Sequence, residues 1–511
     1  MRKVKKLASV LLAVALMLAM NVTAFAITIN VEDGNVTGAT YVAYKLMDVT
    51  VGSTKDGETY SYTVNSKYSA VLQSATNQTS DENVISYLQT LTSRSTEMNE
   101  IAEAIYSAIG NKNLQPEATT TSGAFTNVDA GYYLIVETEV GTLTSGTTDT
   151  YSIYMLDTAA DEPTTVETKE SVPSLTKKVE EKNDSVYTSN SVWQDGADYD
   201  IGDEVPFQLT GTISNQYADY DTYYYAFHDK LSSGLTFTQS SVKVYVENST
   251  TRTEVSSSQY TINTNTSDGC SFEVVIQDLK KLTGVTISSS STIVVEYTAK
   301  LNDKAVIGST GNPNEACLEY ANDPYSNDTT GFTPWDKVIV FTYQLEVDKY
   351  SSNGSTLNGA GFTLYKYYAS DANTGEWKAV GAEQQYDANY VFTWTGLDAG
   401  EYKLVETTVP SGYTKASDVT FYVVASYETN DDDPAFIDLE IERGSGWESV
   451  SGTPSATESD GKVLIHILNK TGSELPTTGG IGTTIFYIVG GVMVAGAVVL
   501  LITKKRMGEN E

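Results

Sequence analysis

The residues best placed to do chemistry lie near the C-terminus, in Leu475-Pro476-Thr477-Thr478-Gly479. Pro476 fixes one backbone torsion and biases Leu475 towards an extended form, so the segment can lie in an enzyme's groove. The Thr478–Gly479 bond offers a carbonyl with no bulk on its leaving side, which suits attack by a thiolate. An uncharged apolar run, 481–503, follows. It is long enough for a transmembrane helix, which needs about 20 residues. Lys504-Lys505-Arg506 would hold its far end on the cytoplasmic side, leaving the pentapeptide just outside the membrane.

Elsewhere the chain offers little catalytic chemistry. There are two histidines, His228 and His466, and two cysteines, Cys270 and Cys317, with no HxxH or CxxC. A metal or His-based catalytic site has almost nothing to build on, so no metal, no cofactor and no enzyme activity are expected. The acidic run 430–433 is followed directly by Pro434 and reads as a solvated loop. Arg2, Lys3, Lys5 and Lys6 precede an apolar run from Leu7 to Met20, and Ala24-Phe25-Ala26 is a small-x-small cleavage site. Residues 1–26 therefore read as a cleaved signal peptide, with Ile27 as the mature N-terminus. An exported chain can oxidise its thiols, so Cys270 and Cys317 are a disulfide candidate, two free thiols being the alternative. The net charge of −34 argues against nucleic acid or anionic lipid as a partner and reads as a solvated surface.

The elements that would position any site are mostly strands. Residues 27–165 open with strand-like runs at 27–31, 39–46 and 58–64, and strands return at 131–137 and 151–156. Between them Ser80-Asp81-Glu82 could cap a helix. Val84, Ile85, Leu88 and Leu91 recur at helical spacing, as do Met98, Ile101, Ala102, Ile105 and Ile109. This is a β-domain with a helical insertion. Residues 159–176 are a polar, proline-broken junction that reads as an extended linker. From 166 to 335, short alternating runs (204–209, 223–227, 241–246, 273–276, 292–297) recur between Ser/Thr/Asn/Gly turns, which suggests a β-sandwich. Residues 336–472 follow the same pattern, and 473–511 carry the terminal signal. The fold class expected is all-β.

The C-terminal order of motif, apolar span and basic tail resembles the cell-wall sorting signal of Gram-positive surface proteins, cut by sortase between Thr and Gly. Gly131-Tyr132-Tyr133-Leu134-Ile135-Val136-Glu137 resembles a strand in the N-terminal domain of fimbrial shaft proteins, though no Lys/Asn pair accompanies Glu137. Lys169, closing Val166-Glu167-Thr168-Lys169, is similar to the lysine of their pilin motif but lacks the usual Tyr-Pro before it. Lys177 and Lys178 are its rivals as the lysine that accepts the next subunit. Three phrases resemble the middle, isopeptide-forming domain of these pilins: Pro173-Ser174-Leu175-Thr176-Lys177-Lys178-Val179, Asp229-Lys230-Leu231-Ser232-Ser233-Gly234-Leu235 and Glu319-Tyr320-Ala321-Asn322-Asp323-Pro324. Leu345-Glu346-Val347-Asp348-Lys349, Gly400-Glu401-Tyr402-Lys403-Leu404-Val405-Glu406 and Val463-Leu464-Ile465-His466-Ile467-Leu468-Asn469 closely resemble the B-type repeat of collagen-adhesin-like proteins.

The resemblance implies tandem Ig-like β-sandwich domains and two self-made amide bonds, Lys177 to Asn322 with Asp229 as the promoting acid, and Lys349 to Asn469 with Glu406. Such a bond needs a neutral amine. Burial disfavours the ammonium and also keeps a carboxylic acid protonated, so that it can polarise the Asn carbonyl. Folding then holds amine and carboxamide in contact. The implied function is a structural subunit of a cell-wall-anchored pilus, joined by sortase through Thr478 to copies of itself and finally to peptidoglycan, with tip or base pilins as further partners. The alternative is a monomeric wall-anchored adhesin that binds a host or matrix ligand.

Overall fold

The computed structural model describes residues 26–32, 36–54, 57–92, 95–158, 164–167, 172–187, 192–325, 329–385, 391–472, 487–495 and 497–498. The signal peptide, Lys169 and the sorting motif Leu475, Pro476, Thr477, Thr478 and Gly479 lie outside these residues, as does most of the 481–503 span. Among the described residues no helix is long and apolar enough to cross a membrane.

The N-terminal region pairs two β-layers with a helical layer. Ala26–Glu32 lies between Ala124–Asp129 and the parallel strand Thr164–Glu167, and a second sheet carries Gly57–Val64, Thr40–Thr54, Gly131–Glu139 and Ile153–Asp157 in that order. The helices Ser69–Thr76, Asp81–Leu88 and Thr96–Asn111 form the insertion. Ser80 and Ser95 cap the second and third by accepting from Asn83 N and Met98 N, which satisfies first-turn donors that the helix leaves unpaired. Val84, Leu88, Ile101, Ala102, Ile105 and Ile109 pack with Leu134 and Val136 of the sheet, as their helical spacing requires. The first helix, Ser69–Thr76, is short and was not anticipated.

The middle domain is a two-sheet sandwich. One sheet runs Val192–Gln194, Leu175–Glu181, Glu204–Thr212, Thr292–Leu301, Leu235–Asn248, Thr251–Val255. The other runs Gly196–Asp198, Asp336–Phe341, Asn312–Ala321, Tyr225–Leu231, Phe272–Ile276, Thr261–Asn263. Alternation along each strand sends Val205, Phe207 and Leu209 inwards from the first sheet, and Tyr225, Phe227, Leu318 and Tyr320 from the second. Two boundaries move relative to the sequence reading. Val166 and Glu167 pair with the first strand of the chain, so they belong to the N-terminal sheet. Asp336–Phe341 pairs with Gly196–Asp198 and Asn312–Ala321, so it completes the middle sheet and only then passes into the third domain.

The third domain packs a four-stranded sheet (Val391–Leu397, Tyr343–Ser351, Lys462–Asn469, Ser455–Thr457) against a larger one built around Gly361–Ala369, Gly400–Thr408, Val419–Tyr427 and Phe436–Arg443. Its first long strand and its last lie side by side and parallel, with Lys349 opposite Ile467 and Ser351 opposite Asn469.

Candidate functional site

In the third domain, Lys349 and Asn469 sit on those neighbouring parallel strands, and Glu406 comes from the facing sheet. All three side chains are buried. Lys349 Nζ donates to Asn469 Oδ1. Asn469 Nδ2 donates to Glu406 Oε1 at 2.7 Å, which is also 3.4 Å from Lys349 Nζ. The backbone N of Ala416 donates to the other Glu406 oxygen at 2.7 Å. Phe362 lies under the amine and packs edge-on against Phe392. This dry setting lowers the Lys349 pKa to about 8, against the opposing pull of Glu406. Turning the carboxamide by 180° exchanges its two ends and puts the carbonyl oxygen on the acid. The three residues named from the sequence are thus together, with the amine against the group it would attack.

The middle domain holds the same chemistry with one different member. Lys177 and Asp229 are fully buried and 2.5 Å apart. Tyr297, from the strand Thr292–Leu301, bridges them: its hydroxyl donates to Asp229 Oδ2 at 2.6 Å and accepts from Lys177 Nζ at 2.9 Å. The same hydroxyl accepts from Asn314 Nδ2 at 2.8 Å. Asn314, not Asn322, is therefore the carboxamide beside Lys177. Asn322 points inwards too, but it lies eight positions further along the chain, roughly 26 Å at the usual rise. There its Nδ2 donates to the Asp149 carbonyl at 3.2 Å and its backbone carbonyl accepts from Tyr151 N at 2.9 Å. Asn322 belongs to the joint with the N-terminal region, where Tyr320 also donates to the Thr148 carbonyl. Register decides the matter, because Asp229 pairs with Ala316 and Leu231 with Asn314.

Burial strips water from both ionised groups, pushing the Lys177 amine down and the Asp229 carboxyl up, against their mutual attraction. Asp229 Oδ1 and Asn314 Oδ1 are buried without a donor. A proton on Asp229 would supply one where two acceptors now lack it. Phe207 and Tyr297 flank the amine at 5.4 Å, and Phe272 and Phe237 close the cage behind them. Lys178, next to Lys177, faces the other way and pairs with Asp195 at 2.5 Å. Tyr297 is not among the residues that the sequence singled out.

Cys270 and Cys317 are both free thiols in the structure, and Cys270 Sγ instead donates to Asp268 Oδ2 at 3.0 Å. The disulfide candidate is not formed. Glu137 is buried and accepts from Ser152 Oγ at 3.0 Å. Among the described residues, two groups of three metal-capable side chains come together: His228, Asp268 and Cys270; and Asp184, Asp200 and Asp398. In the second group the Lys366 ammonium already lies 2.6 to 3.0 Å from all three carboxylates. Lys366 and Asp398 come from the third domain and Asp184 and Asp200 from the middle one, so this group is a joint between domains.

The family model for the Gram-positive pilin backbone subunit 2, Cna-B-like domain, matches residues 201–324. A prealbumin-like fold domain matches 343–433 and the LPXTG cell wall anchor motif 467–507. The trypsin-resistant surface T6 protein of Streptococcus pyogenes serotype M6 is 26% identical over 399 residues, covering 66% of this chain and 70% of that protein. The solved T6 backbone pilin of serotype M6 Streptococcus pyogenes, described as a modular three-domain structure, aligns with a TM-score of 0.51 at 19% identity, over 88% of this chain and 98% of that one. The full-length major pilin SpaD of Corynebacterium diphtheriae aligns with a TM-score of 0.48 at 17% identity, over 88% and 97%. A pilin-backbone domain, a prealbumin-like domain and a wall-anchor motif thus follow one another in this chain.

Proposed function

We propose that this chain, a wall-anchored surface protein built as the Gram-positive backbone pilins are, is the shaft subunit of a pilus, polymerised by sortase and hardened by two internal amide bonds. The observation that carries the reading is the buried Lys349–Asn469–Glu406 group, which ties the first long strand of a domain to its last.

The chemistry is one turnover per site. The neutral Lys349 amine attacks Cγ of Asn469, the new C–N bond forms as the bond to Nδ2 breaks, and ammonia leaves with the amine's proton. Glu406, within reach of both partners, shuttles that proton and polarises the carboxamide. In the middle domain Lys177 attacks Asn314, with Asp229 as the acid and Tyr297 holding amine and carboxamide on one hydroxyl. Between subunits, sortase would take the Thr478 acyl group and pass it to a lysine of the next copy, with Lys169 in the linker as the acceptor. A head-to-tail contact of this kind does not close on itself, so it yields a filament.

The experiment is expression with the cognate sortase, followed by denaturing electrophoresis of wall extracts. A high-mass ladder that collapses to monomer in both Thr478→Ala and Lys169→Ala is expected. A ladder that survives Lys169→Ala moves the acceptor to Lys178 or another lysine. A single wild-type band would favour the monomeric adhesin.

A further inference from the structure

Asp229 faces the core, so its neighbour His228 faces outwards from the same strand. There His228 lies in a row across the sheet, opposite Glu273 on one side and Cys317 on the other. The turn before Phe272–Ile276 folds back over this row. Gly269 turns the chain at a φ of +87°, and Cys270 N donates to Asp268 Oδ1 at 3.0 Å, which carries Asp268 and Cys270 onto the imidazole.

We propose that His228, Asp268, Cys270 and Glu273 form a site for a divalent transition-metal ion of the zinc type. His228 Nδ1, Asp268 Oδ2 and Cys270 Sγ all lie within 4.8 Å of one another. Nδ1 is 2.8 Å from Oδ2, and Sγ is 3.0 Å from the same oxygen. Glu273 Oε1 lies 3.8 Å from Nδ1, at the edge of this group of three, and would complete the set after a side-chain rotation. A tetrahedral zinc ion with ligands at about 2.0–2.3 Å holds its donor atoms about 3.3–3.7 Å apart. The two short separations at Asp268 Oδ2, 2.8 Å to Nδ1 and 3.0 Å to Sγ, would open by about half an ångström around such an ion.

The surroundings favour ligation. Nε2 lies 3.1 Å from Glu319 Oε2, and Thr330 Oγ1 donates to the other Glu319 oxygen at 2.7 Å. Nδ1 shares its proton with Asp268; on binding that proton leaves to solvent and the lone pair turns to the ion, while Glu319 holds the other proton on Nε2, as a carboxylate behind a metal-bound histidine usually does. The mixture of thiolate, imidazole and carboxylate suits zinc better than calcium or magnesium, which take oxygen alone. On binding, a metal–sulfur bond forms as the S–H bond breaks, and the proton leaves to solvent past Asp268, whose side chain is 39% exposed. No oxidant is involved. The joint around Asp184, Asp200 and Asp398 makes the contrast, because there a lysine already occupies the centre.

The test uses the reduced full-length chain titrated with Co²⁺, then with Zn²⁺. One Co²⁺ per chain is expected, with a near-ultraviolet thiolate-to-cobalt band and the visible bands of a four-coordinate ion, displaced by Zn²⁺. Cys270→Ser should abolish the thiolate band, and His228→Gln should weaken binding at least tenfold. Glu319→Gln should weaken it by about 10–100-fold, as loss of the carboxylate behind a metal-bound histidine does. Cys317→Ser should leave the spectrum unchanged. Each variant's fold is checked by its ammonia loss in intact mass, which is independent of the metal. No thiolate band, or a band that survives Cys270→Ser, overturns the proposal. So does a secreted chain recovered with Cys270 and Cys317 joined, two hydrogens lighter and blind to Co²⁺.

Discussion

Replacing Asn314 by alanine separates the register seen in the structure from the alignment of phrases that names Asn322. With Asn314 present, the Lys177 bond closes a loop of roughly 140 residues, and constraining the unfolded chain to this extent contributes about 5 kcal/mol in the chain-entropy picture. At about 2–4 °C per kcal/mol for a domain of this size, its loss should lower the melting temperature by about 10–20 °C. Asn322→Ala removes only a buried hydrogen bond to the Asp149 carbonyl, worth about 1 kcal/mol, and should shift melting by a few degrees. Intact mass makes the two outcomes qualitative. The wild-type chain should be short by two ammonias, Asn314→Ala and Asp229→Ala by one each, and Asn322→Ala still by two. Peptide mapping should find a branched peptide that joins Lys177 to Asn314. A wild-type mass with no deficit would refute the self-crosslinking argument, and a branched peptide through Asn322 would refute the register.

Tyr297→Phe should slow the middle-domain crosslink without removing it, since Lys177 and Asp229 remain in contact when the bridging hydroxyl is gone; a time course of ammonia loss after refolding checks this, and an unchanged rate would deny the hydroxyl its positioning role. Lys366→Met leaves the Asp184, Asp200 and Asp398 carboxylates facing one another with no cation, and breaking a buried ion cluster in this way costs about 3–5 kcal/mol. The two outer carboxylates are partly exposed, so calorimetry should show the low end of that range. The same joint should depend on pH. Burial raises the Glu181 pKa to about 8 and that of Asp198 to about 6. Folded values above the ordinary carboxylate range mean that their contribution is complete below about pH 4 and is lost as pH rises through about 6 and then about 8. Each proton released there costs up to about 1.4 kcal/mol per pH unit. Protease cleavage at the joint should therefore quicken from pH 5 to pH 8.5, and Glu181→Gln should flatten the profile; a joint that tightens with rising pH would contradict the assignment.

The sequence carried the strands because their periodicity is a direct consequence of one-sided burial. Alternating runs such as 204–209 and 292–297 appear in place, and the serine at Ser80 marks one helix through an orphan-donor requirement that is local; the matching cap at Ser95 was found only in the structure. The third-domain triad was legible through a different signal: Lys349, Glu406 and Asn469 each sit in a strand phrase that resembles a known repeat, and alternation alone would not have picked them out. The middle-domain triad was legible only in part. Asn314 and Asn322 lie an even number of positions apart, so alternation alone does not separate them; the pairing of Asn312–Ala321 with Tyr225–Leu231 does, and Asn322 lies just past the end of that strand. Tyr297 is one tyrosine among many, and nothing local distinguishes the one whose hydroxyl meets an amine. Lys366 and the carboxylates around it come from two domains, and His228 meets Asp268 and Cys270 through a turn and a strand register. Such groups are set by long-range register, which local pattern does not contain.

The two proposed crosslinks would decide which residues carry tension. A force entering near Lys169 would reach Lys177, cross to Asn314, follow the backbone to Lys349, cross again to Asn469 and leave towards Thr478. Both long loops, 178–313 and 350–468, lie off that path, so hydrogen-bond ladders inside them bear little load. The stretch between Asn314 and Lys349 has no covalent bypass and must be held otherwise. Non-covalent contacts hold it on several sides. Asp336–Phe341 is held between Gly196–Asp198 and Asn312–Ala321. Asp336 accepts from the Lys177 backbone at 2.6 Å, Lys337 pairs with Asp433 across the joint, and Tyr343 donates to Asp198 at 3.0 Å. Lys366 closes the other side of the joint. A fibre whose domains cannot extend would yield at this passage, and the buried charges there are arranged to resist separation of the two domains, since parting them would expose carboxylates that have lost their cation.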